Sequence, residues 1–258
     1  MVTRLWLFSQ TDTIPQLIPD RPIQAESPYL MCKGLFQIET GARYVDRNDT
    51  EKHLQRIRLG TTLLRYGVFP NFELRLSDGY EWVHVHEDEG PNDSIESGIG
   101  PITAGFKVLV AHEKGIRPEI SILGNITFRQ IGDEAFRPSN SYPLGSILCS
   151  HTIKKKLSLG YNIGFSYNGE SPDGFFIYSI YSGYYITRKL WVFIEAYGNF
   201  DHGDNPNDID YSTNNLGDAG ICYCLRNNLQ VDLSAGMAFD PGVHRYFASA
   251  GLSWRIPK

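Results

Sequence analysis

The chain has 258 residues, 41% of them hydrophobic, a formal net charge of -5 and a mean hydropathy of -0.28. No run of about 18 apolar residues occurs, so no helix of this chain can span a bilayer. The negative balance, with no basic stripe beyond Lys154-Lys155-Lys156, argues against nucleic acid as a partner.

At the start, Met1 to Gln10 holds an Arg followed by Leu5-Trp6-Leu7-Phe8. That is shorter than the ~7 to 15 residue apolar core of a signal peptide, and it is read as the tail of one. Residues 11 to 33 contain Pro15, Pro19, Pro22 and Pro28 without a sustained period, which predicts an extended leader. The division that follows is a leader over 1–33 and a β domain over 34–258.

From Gly34 the pattern changes to strict alternation, the period of a strand. In the first predicted strand, Gly34 to Tyr44, Phe36, Ile38 and Tyr44 alternate with Gln37, Glu39 and Arg43. The second, Leu54 to Arg65, sets Ile57, Leu59, Thr61 and Leu63 against Arg56, Arg58, Gly60 and Thr62. After a tight Tyr66 to Asn71 connection, Phe72, Leu74 and Leu76 oppose Glu73, Arg75 and Ser77. Asp78 to Gly98, acidic and carrying His84 and His86, is predicted to be a long polar loop.

The fourth strand, Ile102 to Ala111, offers Phe106, Val108 and Val110 against Gly105 and Lys107, and the fifth, Pro118 to Phe128, alternates Ile120, Ile122 and Ile126 with Glu119, Ser121 and Asn125. Tyr142 to Thr152, the sixth, is the least regular. Lys156 to Tyr167 is the cleanest: Leu157, Leu159, Tyr161, Ile163, Phe165 and Tyr167 share one parity, opposed by Ser and Gly with Asn162. Phe175 to Ile186 is aromatic-rich. The ninth strand puts Trp191, Phe193, Glu195 and Tyr197 on its hydrated side, the tenth Asp218, Gly220, Cys222 and Cys224, the eleventh (Leu229 to Met237) Gln230, Asp232 and Ser234, and the last Ser253 and Arg255.

Soluble strands run ~5 or 6 residues, whereas a tilted strand crossing lipid needs about 9 to 11, and most of these runs are of the longer kind. Connections after even-numbered strands are short and the others longer, the rhythm of a membrane barrel with short periplasmic turns and long outer loops. The expected fold is therefore all-β, a single antiparallel up-and-down transmembrane β-barrel of about 12 strands, with both termini periplasmic. The alternative is a soluble β-barrel or sandwich that binds a ligand, and detergent dependence separates the two.

If the hydrated parity faces a lumen, that lumen holds Glu39, Arg43, Arg58, Glu73, Arg75, Lys107, Glu119, Glu195, Asp218, Asp232 and Arg255. These charges either line a solute path or form a salt-bridged polar core, and the leader is either a plug in the periplasmic mouth or a tether. No catalytic residue, cofactor or metal is expected. Ser150 and His151 are neighbours that point to opposite faces, which spoils nucleophile activation; His84-Val85-His86 beside Glu87 reads as a solvated run; and the four cysteines form no ligand motif. The partners expected are outer-membrane lipid, a small-molecule solute and the barrel-assembly machinery.

One resemblance runs along the chain. Asp20-Arg21-Pro22, Glu26-Ser27-Pro28, Phe36-Gln37-Ile38-Glu39-Thr40-Gly41, Leu64-Arg65-Tyr66-Gly67-Val68, Gly160-Tyr161-Asn162 and Gly251-Leu252-Ser253-Trp254-Arg255 resemble outer-membrane barrels classed as transporters and grouped with MetA-like proteins of the phenol meta-cleavage pathway. The resemblance implies a twelve-stranded barrel in the bacterial cell outer membrane that passes small, aromatic or hydrophobic compounds.

Overall fold

Alternating sequences of this length pair into one antiparallel sheet that closes on itself. The computed structural model describes residues 17–48, 52–87, 93–167, 174–201, 215–239 and 244–256. Its strands are β1 (Phe36–Asn48), β2 (Lys52–Phe69), β3 (Phe72–Glu87), β4 (Ser94–Ile99), β5 (Thr103–Ala111), β6 (Glu119–Thr127), β7 (Tyr142–Lys154), β8 (Leu157–Ser166), β9 (Phe175–Tyr185), β10 (Leu190–Asp201), β11 (Leu216–Arg226), β12 (Leu229–Ala238) and β13 (His244–Ile256). Chain neighbours pair antiparallel except β4 with β5, and β1 closes the wall against β13 from Phe36↔Ile256 to Asn48↔His244. β4 pairs with the far half of β3 (Tyr80↔Ile99) and β5 with the near half (Phe72↔Val108). The two are one wall strand interrupted at Gly100-Pro101-Ile102, where Pro101 has no N–H to give to a ladder, so the barrel has twelve staves.

The outer face is apolar at mid-height. Ile163 is 57% exposed and Leu233 58%, while Glu39 is fully buried within. Aromatic side chains stand outward at both ends: Tyr184 and Trp254 near the short turns, Phe176 and Tyr246 near the long loops. On β9 and on β13 the two rings are eight residues apart, about 26 Å along the strand. At a tilt of ~40° that is about 20 Å along the axis, close to the ~25 Å apolar band of an outer-membrane barrel.

Two expectations need correction. Most of the segment 78–98 is strand rather than loop: β3 continues through Tyr80, Trp82 and His84 to Glu87, paired to β2 as far as Lys52, and β4 pairs back on it, while 88–92 lie outside the described residues. Polar residues there mark a ribbon standing above the apolar band rather than an absence of strand. The second concerns parity in β2. Its register shifts between Leu59 and Thr62 against β3, and Gly60 sits at φ 57°, a left-handed conformation that suits glycine. The extra residue of this bulge reverses the alternation. Arg58 faces inward before it; after it Thr61, Leu63 and Arg65 face inward and Leu64 outward, so the period-2 assignment of Thr61 and Leu63 to the oily face fails past Gly60. The N-terminal apolar run and the tips of three long loops (168–173, 202–214, 240–243) lie outside the described residues.

Nothing stands within 4 Å of a Cβ built on Gly60, so a substitution there probes backbone conformation alone. Gly60→Val is expected to cost about 1–2 kcal/mol, seen as a lower temperature for the heat-induced mobility shift of the folded barrel on a denaturing gel.

Candidate functional site

The inner face of β1, β2, β3 and β5 at the short-turn end concentrates charge. Arg65, 1% exposed, donates from Nε to Glu73 Oε1 at 2.8 Å and from Nη1 to Glu39 Oε1 at 3.0 Å. Arg75 Nη1 lies 3.1 Å from Glu73 Oε1, and Lys107 is wholly buried beside them. The wall thus offers three cations and two carboxylates in a space closed to bulk water.

Residues 17–33 supply the balance. Asp20 accepts from Arg75 Nη1 at 2.6 Å and Lys107 Nζ at 3.0 Å, and lies 3.2 Å from Arg65. Glu26 takes Arg75 Nη2 at 2.6 Å. Backbone groups complete the shell: Asp20 N–H and Arg21 N–H donate to Glu39 Oε2 at 2.9 Å each, Met31 N–H to Glu73 at 2.7 Å, and Lys107 donates to the carbonyl of Ser27 at 2.7 Å. An inserted chain with no strand partner along most of its length has orphan amides, and here wall carboxylates satisfy several of them.

The far wall holds the same segment differently. Glu195 on β10 accepts from Gln24 N–H at 2.8 Å and Ala25 N–H at 2.5 Å, with Asp218 directly opposite it on β11. Asn162 and Ser121 donate to the carbonyls of Glu26 and Pro28. Ile23 and Ala25 pack on Tyr181 and Phe193. Arg21 reaches Thr61 on β2 at 3.0 Å, Ser249 on β13 at 3.1 Å and Asp232 on β12 at 3.3 Å. Its guanidinium lies on Gly41 and Gly251, register partners across the closing seam, where a Cβ would come within 2.5 and 2.3 Å of it.

This segment divides the interior. On the long-loop side are two open cavities of about 500 and 430 Å³, both bordered by Gln24 and Glu26; on the short-turn side one of about 180 Å³ borders Tyr181, Tyr185 and Trp191. Arg43 stands above the segment, 2.9 Å from Gln24 Oε1, 3.2 Å from Tyr197 OH and over the Phe247 ring at 3.9 Å. Arg58 is paired with Glu81 at 2.6 Å.

Of the residues singled out from the sequence, Glu39, Glu73, Arg75 and Lys107 converge on Asp20 or on its neighbours. Glu195, Asp218 and Asp232 hold or flank the segment elsewhere, and Arg43 and Arg58 face the long-loop cavities. Glu119 and Arg255 stand apart at the short-turn rim, Glu119 accepting from His112 at 3.0 Å and Arg255 donating to the Asn227 carbonyl at 3.3 Å. Sequence reasoning missed Arg65, because the bulge hides its parity, and Asp20, Arg21 and Glu26, because a leader without period gives no facing signal. Ser150 is buried inside while His151 meets Tyr161 on the outer face at 3.3 Å. His84 and His86 both turn to Asp93, and the four cysteines are free.

Residues 19–256 match the model of the family described as "Putative MetA-pathway of phenol degradation". No curated protein matches the sequence. Among solved structures, the fold is similar to the COG4313 outer membrane channel from Pseudomonas putida F1, with a TM-score of 0.69 at 9% identity over 91% of this chain and 100% of that one. It is also similar to the translocator domain of the autotransporter NalP from Neisseria meningitidis, with a TM-score of 0.56 at 12% identity over 88% and 90%.

Removing Arg65 would strand Glu39 and Glu73 in a site without water. Arg65→Met is expected to destabilise the barrel by about 3–5 kcal/mol, measured by denaturant unfolding in micelles. A second expectation concerns acid. Burial alone would raise the Asp20 carboxyl, but Arg65, Lys107 and Arg75 outweigh it and hold Asp20 well below the usual carboxylate range. Its contribution is therefore present above the unfolded value of ~3.9 and lost as pH falls through the lower folded value. A fluorophore on Cys32, in a variant lacking the other cysteines, should lose anisotropy on acidification below that range and keep it on the alkaline side.

Proposed function

The chain belongs to this phenol MetA-pathway family, and on that footing we propose that it is a passive transporter of the bacterial outer membrane for small aromatic or hydrophobic solutes, with residues 17–33 as its plug. The observation that carries the reading is the division of the interior. A closed barrel whose oily face looks outward has room on both sides of one inserted segment, so a solute path would be continuous but for that segment. A twelve-stranded barrel is narrow enough for so short a stretch to obstruct.

Support for a movable obstruction comes from how it is held. Its described contacts are side-chain hydrogen bonds, ion pairs and a small apolar patch, with a single isolated bridge, Lys33↔Gly67, joining it to the wall ladder. Such contacts can be exchanged for water one at a time, whereas a paired strand must be unzipped. The soluble alternative fares poorly, since it would leave Ile163, Ile194, Leu233 and Met237, all more than half exposed, in contact with water around the whole circumference.

Single-channel recording in planar bilayers tests this. Deleting residues 17–33 is expected to raise conductance severalfold while the barrel keeps its heat-modifiable mobility. Equal conductance with and without the segment would refute the plug, and no conductance from either would refute the channel.

A further inference from the structure

The wall's charges separate along the barrel axis. Four of its buried carboxylates, Glu39, Glu73, Glu195 and Asp232, lie at the level of the inserted segment and are engaged with it, with Asp218 flanking Glu195. Above it, on three adjacent strands at the closing seam, the inner face carries Arg43 and Arg47 on β1, Arg56 and Arg58 on β2, and Arg245 on β13. Arg47 and Arg245 are register partners, as are Arg43 and Arg58. Glu81 takes Arg58 and lies 3.7 Å from Arg56. Arg43 interacts electrostatically with Asp218, whereas Arg245 finds no carboxylate among the described residues, and the Nε of each is screened from solvent without a hydrogen-bond partner there.

Arg245 borders the 500 Å³ cavity, whose opposite wall is unlike the rest of the interior. There Leu123 on β6, Leu144 and Leu148 on β7 and Ile177 on β9 face inward, Leu123 and Leu148 with almost no exposed surface, while Leu216 on β11 packs on Phe247 nearer the seam. The neutral amides Asn125 and Asn162 sit among them, and among the described residues the one carboxylate bordering the cavity is Glu26, already held by Arg75. The volume falls within the ~300–1,000 Å³ usual for small-molecule sites. A guanidinium without a carboxylate partner among the described residues thus faces a patch of leucines that water wets poorly.

Resting on the channel reading above, we infer that this cavity is a binding station for organic monoanions with an apolar body, the carboxylate on Arg245 and the ring or chain on the leucine wall. A neutral hydrocarbon would fill the apolar side and leave the guanidinium without an acceptor. A small inorganic anion would do the reverse. Only a ligand with both parts answers both halves, and a charge-assisted hydrogen bond is the stronger kind.

The pair 3-phenylpropionate and 3-phenylpropanol shares a body and differs in charge, so calorimetric titration of each into the full chain in micelles isolates the Arg245 contribution. The acid is expected to bind at least tenfold tighter than the alcohol. Arg245→Gln should weaken the acid on the order of tenfold, the scale of one hydrogen bond to a charged group, and leave the alcohol unchanged, which also certifies an intact cavity; Arg245→Lys should retain most of the preference. Equal binding of acid and alcohol, an unchanged preference in Arg245→Gln, or no binding of either would overturn the inference. Conductance of the same preparation reads the channel independently, so a conducting protein without the acid preference loses this inference and keeps the transport reading.

Discussion

The interior is governed by the cost of placing Arg65, Arg75 and Lys107 where water cannot reach. Two wall carboxylates cannot neutralise three cations, and a buried charge without a partner costs several kcal/mol. The wall is therefore a socket built with a deficit, and the chain's own Asp20 and Glu26 make it good. The reciprocal holds as well, because the inserted segment has amides that no ladder accepts, and Glu39, Glu73 and Glu195 accept them. Each side is incomplete alone. Such an arrangement adds little net stability over an apolar filling, but it fixes one register of the segment among the many that oil against oil would allow.

Placement, more than count, decides how a lumen of mixed sign acts on a charged solute. Counted along the sequence, acidic and basic residues of the hydrated face nearly cancel. In space Glu39, Glu73, Glu195 and Asp232 are committed to the segment, and guanidiniums stand on its long-loop side. Long-range attraction of anions toward a low-dielectric cleft follows from that placement, and salt would weaken it over the ~10 Å Debye length of 0.1 M electrolyte.

Most of the fold was legible because lipid on one side and water or polar filling on the other impose a two-residue period that few other environments demand. The strands containing Leu159 and Leu233 read almost to the residue. Legibility failed where that rule was locally suspended. At Gly60 an added residue reversed the faces and hid Arg65. Along β7 apolar side chains occupy both faces, Leu144 and Leu148 inside and Ile147 outside, so the alternation was blurred at the very strand that forms the leucine wall. Beyond Asp78 the strand leaves the membrane, its outer face turns polar, and a ladder resembled a loop. The candidate site was half visible: its wall charges followed from parity, whereas its partners in the leader lay in a stretch where no period tells which way a side chain points.

The Arg21 guanidinium rests on glycines of the first and last staves and bonds to groups on β2, β12 and β13. Those staves are far apart in the chain and become neighbours only when the cylinder shuts. The clasp therefore has no binding surface in a half-made sheet and must seat last, after the final staves have met the first two. During biogenesis the leader then serves as a record of completion: a lumen that holds it has already been sealed, and a barrel stalled open presents its leader to whatever surrounds it.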